Sequence, residues 1–184
     1  MPLLTSQFFA RHTLDVAKDL LGKIIIVNGI TTRIVEVEAY RQDKASHAYT
    51  KTPRSQIMYD TYGHIYVYFI YGMYNCLNFT TEPIGKPGAI LIRALEPLTG
   101  IEKMKQRRNT RNLHNLCSGP GKLCQALNIT KTLNHQPLNQ SIKIYDDGVI
   151  PKSIGKSPRI GIKDATHLHW RFFIKDNKFV SKVN

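Results

Sequence analysis

The sequence has little negative charge and no long apolar segment. Its 184 residues include 13 Asp and Glu against 26 Lys and Arg, so the formal net charge is +13 at pH 7. This excess favours a polyanionic partner, first of all nucleic acid, with an acidic membrane surface as the weaker alternative. No apolar run approaches the roughly 20 residues of a membrane span, and the amino terminus lacks the features of a secretory signal. We therefore expect a cytoplasmic protein that does not enter a membrane.

Cysteine is also scarce, which limits disulfide and metal chemistry. Cys76, Cys117 and Cys124 are odd in number and form no C-x-x-C pair, so the sequence supports neither a disulfide framework nor a zinc knuckle. We expect all three to be buried as small apolar side chains. His167 and His169 alternate in a β-like run, but no Asp, Glu or Cys accompanies them at ligand spacing. We therefore expect no metal ion and no cofactor.

Repeats, low-complexity tracts and long linkers are absent as well, so we expect residues 1–184 to form one domain. Asn28-Gly29 separates β-rich runs at 23–27 and 30–40, which indicates a two-residue hairpin turn. Further β-like runs lie at 65–70, 74–81, 89–95, 159–162 and 170–174. Helices are predicted at 13–21, at about 100–109, where Thr99 and Glu102 have the spacing of a capping box, and from Pro120. Strands outnumber helices, so the predicted fold class is α+β.

The run at 30–40 contains two of the few acidic residues. Strict alternation places the following side chains on one face: Ile34, Glu36, Glu38 and Tyr40. The other face carries Val35, Val37 and Ala39 and is expected to pack inward. The simplest interpretation of two carboxylates on a strand is that this face is exposed to solvent. Each one repels phosphate, however, so in a basic protein they also suggest chemistry on a ligand, as a general base or an electrostatic stabiliser.

The stretch "GHIYVYFIYGMYN" at 63–75 concentrates aromatic residues. Alternation places Tyr66 and Tyr68 on one face of a strand, which ordinary core packing would explain. It would not explain Tyr71 and Met73, because Gly72 between them predicts a tight turn and therefore an exposed hairpin tip. On a basic protein, apolar side chains at a projecting tip suggest a wedge that enters a duplex between bases. Residues such as Tyr40, His47 and Tyr68 could then stack around the extruded base.

Five segments carry a family resemblance: "RIVEVEAY", "SHAYTKTPRS", "HIYVYFIYGMYNCLNF", "AILIRALEP" and "LCSGPGKLCQALNI". Together they resemble the 3-methyladenine (alkyladenine) DNA glycosylases of the mammalian type, which differ from the helix-hairpin-helix glycosylases. The resemblance implies a single α+β domain with a curved, mainly antiparallel sheet, surrounding helices and a protruding β-hairpin that intercalates into DNA. It also implies a monofunctional enzyme of base-excision repair that flips alkylated or deaminated purines out of double-stranded DNA and hydrolyses the N-glycosidic bond. We expect a monomer, which in a bacterium would act at the nucleoid.

The resemblance also assigns roles to individual residues. Glu38 matches the catalytic glutamate that activates a water molecule, whereas Glu36 matches no catalytic position. Arg93 matches an arginine that helps to hold this water, and the backbone carbonyl of Ile160 would contact it. The remaining assignments are Tyr40, His47 and Tyr68 around the flipped base, Asn78 against the amino group of normal guanine, Tyr71 as the intercalating residue, and Gly119, Pro120, Gly121 and Lys122 at a helix start that faces DNA.

Some predictions and alternatives rest on charge or pattern alone. Met73 shares the predicted tip with Tyr71, and Arg107 and Arg108 on the basic helix could contact the DNA backbone. A non-catalytic single-strand or RNA-binding module would use the tyrosines for stacking and would need no acid. A metal-dependent nuclease would use Glu36 and Glu38 with the histidines near the C-terminus. The sequence does not rank 3-methyladenine, 7-methylguanine, hypoxanthine and ethenoadenine as substrates.

Overall fold

An eight-stranded antiparallel sheet, curled into a half-barrel, dominates the computed structural model, which describes residues 1–182. Its strands are β1 Ile24–Val27, β2 Ile30–Tyr40, β3 Ile65–Ile70, β4 Tyr74–Thr80, β5 Ala89–Pro97, β6 Lys143–Tyr145, β7 Ile154–Ser157 and β8 Arg171–Ile174. The helices are α1 Ser6–Phe9, α2 Thr13–Leu20, α3 Gln56–Asp60, α4 Ile101–Arg108 and α5 Pro120–Leu127. Short 3-10 turns lie at His47–Tyr49, Leu113–Asn115 and Lys131–Leu133. The predicted α+β class with an antiparallel sheet is confirmed.

Strand β2 is the centre of the sheet because it pairs along both edges. The strand order is β3-β4-β5-β2-β1-β6, and β8 joins β2 beside β1 and carries β7 on its outer edge. The first half of β2 pairs with β1, as the Asn28-Gly29 turn predicts, and its second half pairs with β8. The two glutamates of β2 therefore lie where β5 and β8 flank the same strand.

A β-bulge in β2 corrects the predicted alternation. The register against β5 shifts on both sides of Glu36, as expected where one strand carries an extra residue. Ile34 consequently packs in the main core with Val37 and Ala39, so the prediction that Ile34 shares the face of the glutamates is wrong. Glu36 and Glu38 are both 0% exposed, so the solvated-face interpretation is also wrong.

Helices α2, α4 and α5 lie at the predicted positions, α1 and α3 were not predicted, and one predicted cap is wrong. The predicted capping box fails because Gly100, in the left-handed region, precedes the first residue of α4, and the Thr99 hydroxyl instead accepts a hydrogen bond from the Thr31 N–H at 3.1 Å. The side chain of His12, which precedes α2, does not cap the helix. The buried Glu82 carboxylate instead accepts a hydrogen bond from the Thr13 N–H in the first turn, at 2.8 Å. Within residues 1–182, no helix combines the length and the apolar composition that a bilayer span requires.

The C-terminal region pairs differently from the prediction. The run 159–162 was expected to form a strand and is instead a loop, whereas the strand before β8 is β7 at 154–157. Gly155 permits this pairing, because a Cβ atom there would lie 2.4 Å from the ring of Phe173. The loop at 159–162 is thereby free to turn back onto the end of β2.

The three cysteines are free and buried, as predicted. They lie at 76, 117 and 124, and the latter two belong to the main apolar cluster between the sheet and helices α2, α4 and α5. Burial raises the pKa of the Cys117 thiol to about 12, which keeps it in the protonated and unreactive form. Their role in the fold is packing.

Candidate active site

A cavity of about 560 Å³ opens where β3, β4 and β5 meet the end of β2. The lining also includes the 45–47 loop, the start of α5 and the 160–162 loop. Most of the predicted site residues line it, namely Tyr40, His47, Tyr68, Tyr71, Asn78, Arg93, Arg108, Gly119, Pro120, Gly121, Lys122 and Ile160. Residues far apart in the sequence thus converge on one concave site, which is the usual form of a ligand pocket.

Glu38 lies directly behind this lining and is held by three of its neighbours. Its Oε1 accepts the Ile160 N–H at 2.7 Å and lies 3.3 Å from Arg93 Nη1. Its Oε2 accepts the Tyr40 hydroxyl at 2.8 Å. Burial raises the pKa of Glu38 above its ordinary value, and the charge of Arg93 and the two hydrogen bonds oppose this shift. The site therefore holds an oriented carboxylate that is more basic than an exposed one.

Ile160 reaches Glu38 through its N–H group. The resemblance assigns a role to the Ile160 carbonyl, and that role stays a prediction. The N–H contact was not predicted, because it depends on a loop that joins β7 to β8 and folds onto β2 from 122 residues away in sequence. This hydrogen bond holds the loop against Oε1 of Glu38, whereas the Tyr40 hydroxyl binds Oε2.

Glu36 is a structural anion that anchors the same region from behind. Its Oε1 accepts Arg93 Nε at 3.1 Å, Arg171 Nε at 2.7 Å and the Ser181 hydroxyl at 2.8 Å, and its Oε2 accepts the Ser181 N–H at 2.7 Å. Arg93 therefore bridges the two glutamates of β2. Glu36 accepts four hydrogen bonds from protein donors, whereas Glu38 accepts two and lies next to the cavity.

An aromatic wall faces the cavity from β3 and the 45–47 loop. The His47 and Tyr68 rings meet edge to face with centroids 4.6 Å apart. His47 Nδ1 and the Tyr66 hydroxyl lie 2.8 Å apart, in a hydrogen bond. Burial, followed by the charge of Arg54, lowers the pKa of His47, so the imidazole is neutral near pH 7. Burial also raises the pKa of Tyr66 to about 12.

Asn78 on β4 has a fixed amide. Its Nδ2 donates to the backbone carbonyls of Tyr66 at 3.1 Å and Cys76 at 3.2 Å. These bonds orient the group next to Tyr66, its partner across the β3–β4 pair, and both residues line the cavity. Tyr66 itself was placed on the correct strand face by alternation but was not assigned to the site.

The β3–β4 hairpin ends in an exposed aromatic tip. Tyr71 and Gly72 both adopt left-handed backbone conformations, with φ of 54° and 66°. Such a φ is rare for a bulky residue and marks a local strain that often accompanies function. Tyr71 is 77% exposed and Met73 62% exposed, so neither side chain belongs to the core.

The start of α5 packs against this hairpin. A Cβ atom at Gly121 would lie 2.8 Å from the Tyr74 ring, so only glycine allows the close approach. The Lys122 ammonium donates to Asn115 Oδ1 at 2.5 Å and remains at the cavity edge. The tip, the glycine and the lysine thus form one continuous rim.

The arginines at the end of α4 are tied to neighbouring backbone. Arg107 donates to the Ala126 carbonyl at 3.0 Å, and Arg108 donates to the Leu116 carbonyl at 3.2 Å. Arg108 also lines the cavity, whereas Arg107 does not. Their predicted contact with DNA stays a prediction, and both already have a role in packing α4 against α5.

No group of three metal-ligating side chains was found within residues 1–182. His167 and His169 lie in the loop that precedes β8 and do not line the cavity. The two glutamates of the nuclease alternative are instead engaged by arginine, as described above.

Comparisons with known proteins agree on one family. The family model for methylpurine-DNA glycosylase matches residues 7–178 of the chain. A protein of Methanocella arvoryzae is 47% identical over 99% of this chain and 97% of its own length. Relatives from Clostridium novyi and Bacillus cytotoxicus are 44% and 45% identical, over 99% and 95% of this chain and 100% and 97% of their own lengths. All three carry the name "Putative 3-methyladenine DNA glycosylase".

Proposed function

This chain belongs to the methylpurine-DNA glycosylase family, and from that premise we propose that it excises damaged purines from double-stranded DNA with a water molecule activated by Glu38. The chain is a monofunctional DNA glycosylase and acts on DNA. The single observation that carries the proposed mechanism is the buried Glu38 carboxylate, which is held by two hydrogen bonds and an ion pair directly behind an aromatic cavity.

The aromatic wall suits a flipped, alkylated purine. Alkylation at N3 or N7 gives the base a positive charge, which electron-rich rings such as Tyr40 and Tyr68 attract. A protonated His47 would repel that cation, but the lowered pKa keeps the ring neutral. The cavity of about 560 Å³ is large enough for a purine and part of its sugar.

The carboxylate has room for one more hydrogen bond. An ionised carboxylate offers about four acceptor positions. Hydrogen bonds from Ile160 and Tyr40 occupy two of those on Glu38, and Arg93 lies 3.3 Å away as an ion-pair partner. A water bound at a free position would give its proton to Glu38 as its oxygen bonds to C1′ of the sugar and the C1′–N bond breaks. The departing base takes the electron pair of that bond, which neutralises its charge. General-base assistance of this kind contributes about 10²–10⁴-fold.

The hairpin tip supplies the wedge. Tyr71 and Met73 would fill the gap that the extruded nucleotide leaves in the base stack. Asn78 would exclude normal guanine, because the exocyclic amino group of that base would crowd the Asn78 amide, which two backbone carbonyls hold in place. Selectivity would therefore come from charge, shape and the cost of extrusion together.

The proposal is tested with duplex oligonucleotides that each carry one lesion, namely 3-methyladenine, 7-methylguanine, hypoxanthine or ethenoadenine. Alkali after incubation cleaves at abasic sites and so reports base release. We expect release from at least the alkylated purines without a divalent metal ion. Binding without release from any of the four duplexes would contradict the proposal and favour a binding module.

Tyr71→Ser is expected to weaken binding to lesion duplexes by about 1–3 kcal/mol, the value of one stacked base. The loss in single-turnover rate should be larger for hypoxanthine in a pair than in a mismatch, since an unpaired base costs less to extrude. Met73→Ser should show a smaller effect of the same kind. The melting temperature should not change, because Tyr71 is largely exposed.

The matched control is Ile84→Ser, which removes another exposed apolar side chain, 70% exposed, from the loop between β4 and β5. It should leave binding unchanged. An equal rate loss on paired and mismatched lesions, together with a lower melting temperature of Tyr71→Ser, would contradict the wedge.

Lys122→Gln is expected to lower the salt dependence of DNA binding. Each phosphate contact contributes about 0.9 to the slope of log K against log salt, so the slope should fall by about that amount. Lys143→Gln is the control, since Lys143 is exposed on β6 at the opposite edge of the sheet from the hairpin. Equal slopes for both variants would remove Lys122 from the DNA interface. The Arg107 and Arg108 contacts are tested by the same titration.

A further inference from the structure

Arg159 is a buried cation behind the cavity wall that the proposed function leaves unused. Its side chain is 0% exposed. The guanidinium carbon lies 4.6 Å from the centroid of the Tyr40 ring and 5.2 Å from that of Trp170. Cations stacked on aromatic faces are attracted most strongly when water is excluded. Arg159 therefore supports the rear of the Tyr40 ring, whose hydroxyl holds Glu38.

Hydrogen bonds fix this guanidinium in one orientation. It forms a fork with Asp43, through Nη1 to Oδ2 at 3.1 Å and Nη2 to Oδ1 at 2.6 Å. Nη1 also donates to the carbonyl of Ala39 at 3.1 Å. Asp43 lies in the loop after β2 and Ala39 at the end of that strand, so the group clamps the 159–162 loop to β2. A planar fork of this kind cannot be reproduced fully by lysine.

Both uncharged donors to Glu38 depend on this clamp. Tyr40 is stacked on Arg159, and Ile160 follows Arg159 directly in the chain. Within residues 1–182, Arg159 forms an ion pair with Asp43 and none with Glu38, so any effect on the carboxylate passes through its neighbours. We propose that Arg159 is a positioning residue, which holds the Tyr40 hydroxyl and the Ile160 N–H against the two oxygens of Glu38.

This role of Arg159 rests on the proposed function, and it implies a change in the pKa of Glu38 when Arg159 is replaced. The charged and titratable groups that face Glu38 are Tyr40 and Glu36 from β2, Arg93 from β5 and the Cys76 thiol from β4. The Ile160 N–H faces it from the loop. The hydrogen bonds from Ile160 and Tyr40 lower the pKa of Glu38 against the larger effect of burial. Loosening either bond must therefore raise that pKa.

The direction of the pH effect follows from the role of a base. A general base works above its pKa, and activity is lost as the pH falls through that value. Arg159→Met should move the acid limb of the single-turnover rate upward by about one pH unit, since a hydrogen bond to a charged group is worth about one to two such units. At any pH below the acid limb of the wild type, the rate should fall by about tenfold for the same reason.

Arg33→Met is the matched control. Arg33 makes the same pattern of contacts outside the cavity, a fork to Asp147 at 3.1 and 2.8 Å and one bond to the Gly22 carbonyl at 2.6 Å. The Arg33→Met protein should be less stable than the wild type, but the acid limb of its single-turnover rate should not shift. An Arg159→Met protein whose rate and acid limb match those of Arg33→Met would overturn the proposal. If Arg159→Met does not fold, Arg159→Lys serves, and a smaller shift in the same direction is expected.

A second readout does not need activity. The carboxyl carbon of Glu38 can be titrated by NMR in protein labelled at glutamate, with the signal assigned from Glu38→Gln. Its pKa should be higher in the Arg159 variant than in the Arg33 variant, and equal values would overturn the proposal. If the wild-type protein released no base from any lesion duplex, the proposed mechanism would fail, and this titration would still decide the role of Arg159.

Discussion

Glu38→Gln is expected to abolish base release while the fold stays intact. Glutamine keeps the shape, its carbonyl oxygen can accept the Ile160 N–H, and its amide NH2 can donate to the Tyr40 oxygen, but it cannot take a proton from water. The loss should be at least about 10³-fold in the single-turnover rate, toward the upper end of what a general base contributes. Binding to an abasic-site duplex should be unchanged or tighter, because a negative charge near phosphate is removed.

Glu96→Gln is the matched control for this variant. Glu96 is a carboxylate of the same sheet, on β5, where it accepts a hydrogen bond from Asn177 at 3.1 Å and does not line the cavity. It should retain the wild-type rate. Full turnover in Glu38→Gln together with loss in Glu36→Gln would contradict the assignment of the two glutamates.

The stability of Glu38→Gln should match or exceed that of the wild type near neutral pH. Burial raises the pKa of Glu38 in the folded state above the unfolded value. The stability that the protonated carboxyl contributes is therefore present below the unfolded pKa and lost as the pH rises through the folded pKa. Glutamine resembles the protonated form, so it does not incur this loss.

Glu36→Gln is expected to have the opposite profile, with a large loss of stability. Glu36 accepts bonds from Arg93 and Arg171, which are themselves buried, and from Ser181. Removal of one partner from a buried ion pair costs about 3–5 kcal/mol, since the remaining charges are left without compensation. For a domain of this size the melting temperature should fall by about 10 °C. Thermal unfolding followed by circular dichroism measures this.

Two variants on one strand therefore separate catalysis from folding. Glu36 and Glu38 are two residues apart and equally buried, so a general effect of burial would damage both proteins alike. An unchanged melting temperature in Glu36→Gln would show that the arginine network does not depend on this carboxylate. The expected pair of results is a stable, inactive Glu38 variant and an unstable Glu36 variant.

Much of the site could be predicted because its residues lie in continuous motifs. Alternation along β2 placed Glu36, Glu38 and Tyr40 together, and the glycine at 72 predicted the exposed tip that carries Tyr71. Both signals are local, since a strand has a period of two residues and a tight turn needs a left-handed residue. The family resemblance added the roles that local patterns do not contain.

The features that sequence reasoning missed depend on distant partners. The bulge in β2 is set by its register against β5, and nothing in Ile34, Val35 and Glu36 themselves indicates it. The 159–162 run alternates like a strand, but the pairing with β8 goes to the segment with Gly155, where the ring of Phe173 can approach. Arg159 looked like one basic residue among many, because its aromatic and acidic neighbours come from other parts of the chain.

The most direct test of the central claim is the pH dependence of 7-methylguanine release in single turnover, from about pH 5 to about pH 9. This base already carries its positive charge, so its departure needs no general acid and the acid limb reports the base alone. The wild-type rate should fall about tenfold per pH unit below a pKa that lies above the ordinary value for glutamate, and Glu38→Gln should show a very low rate without that limb. A wild-type rate that does not change with pH, or a Glu38→Gln protein that keeps the same limb, would contradict the account.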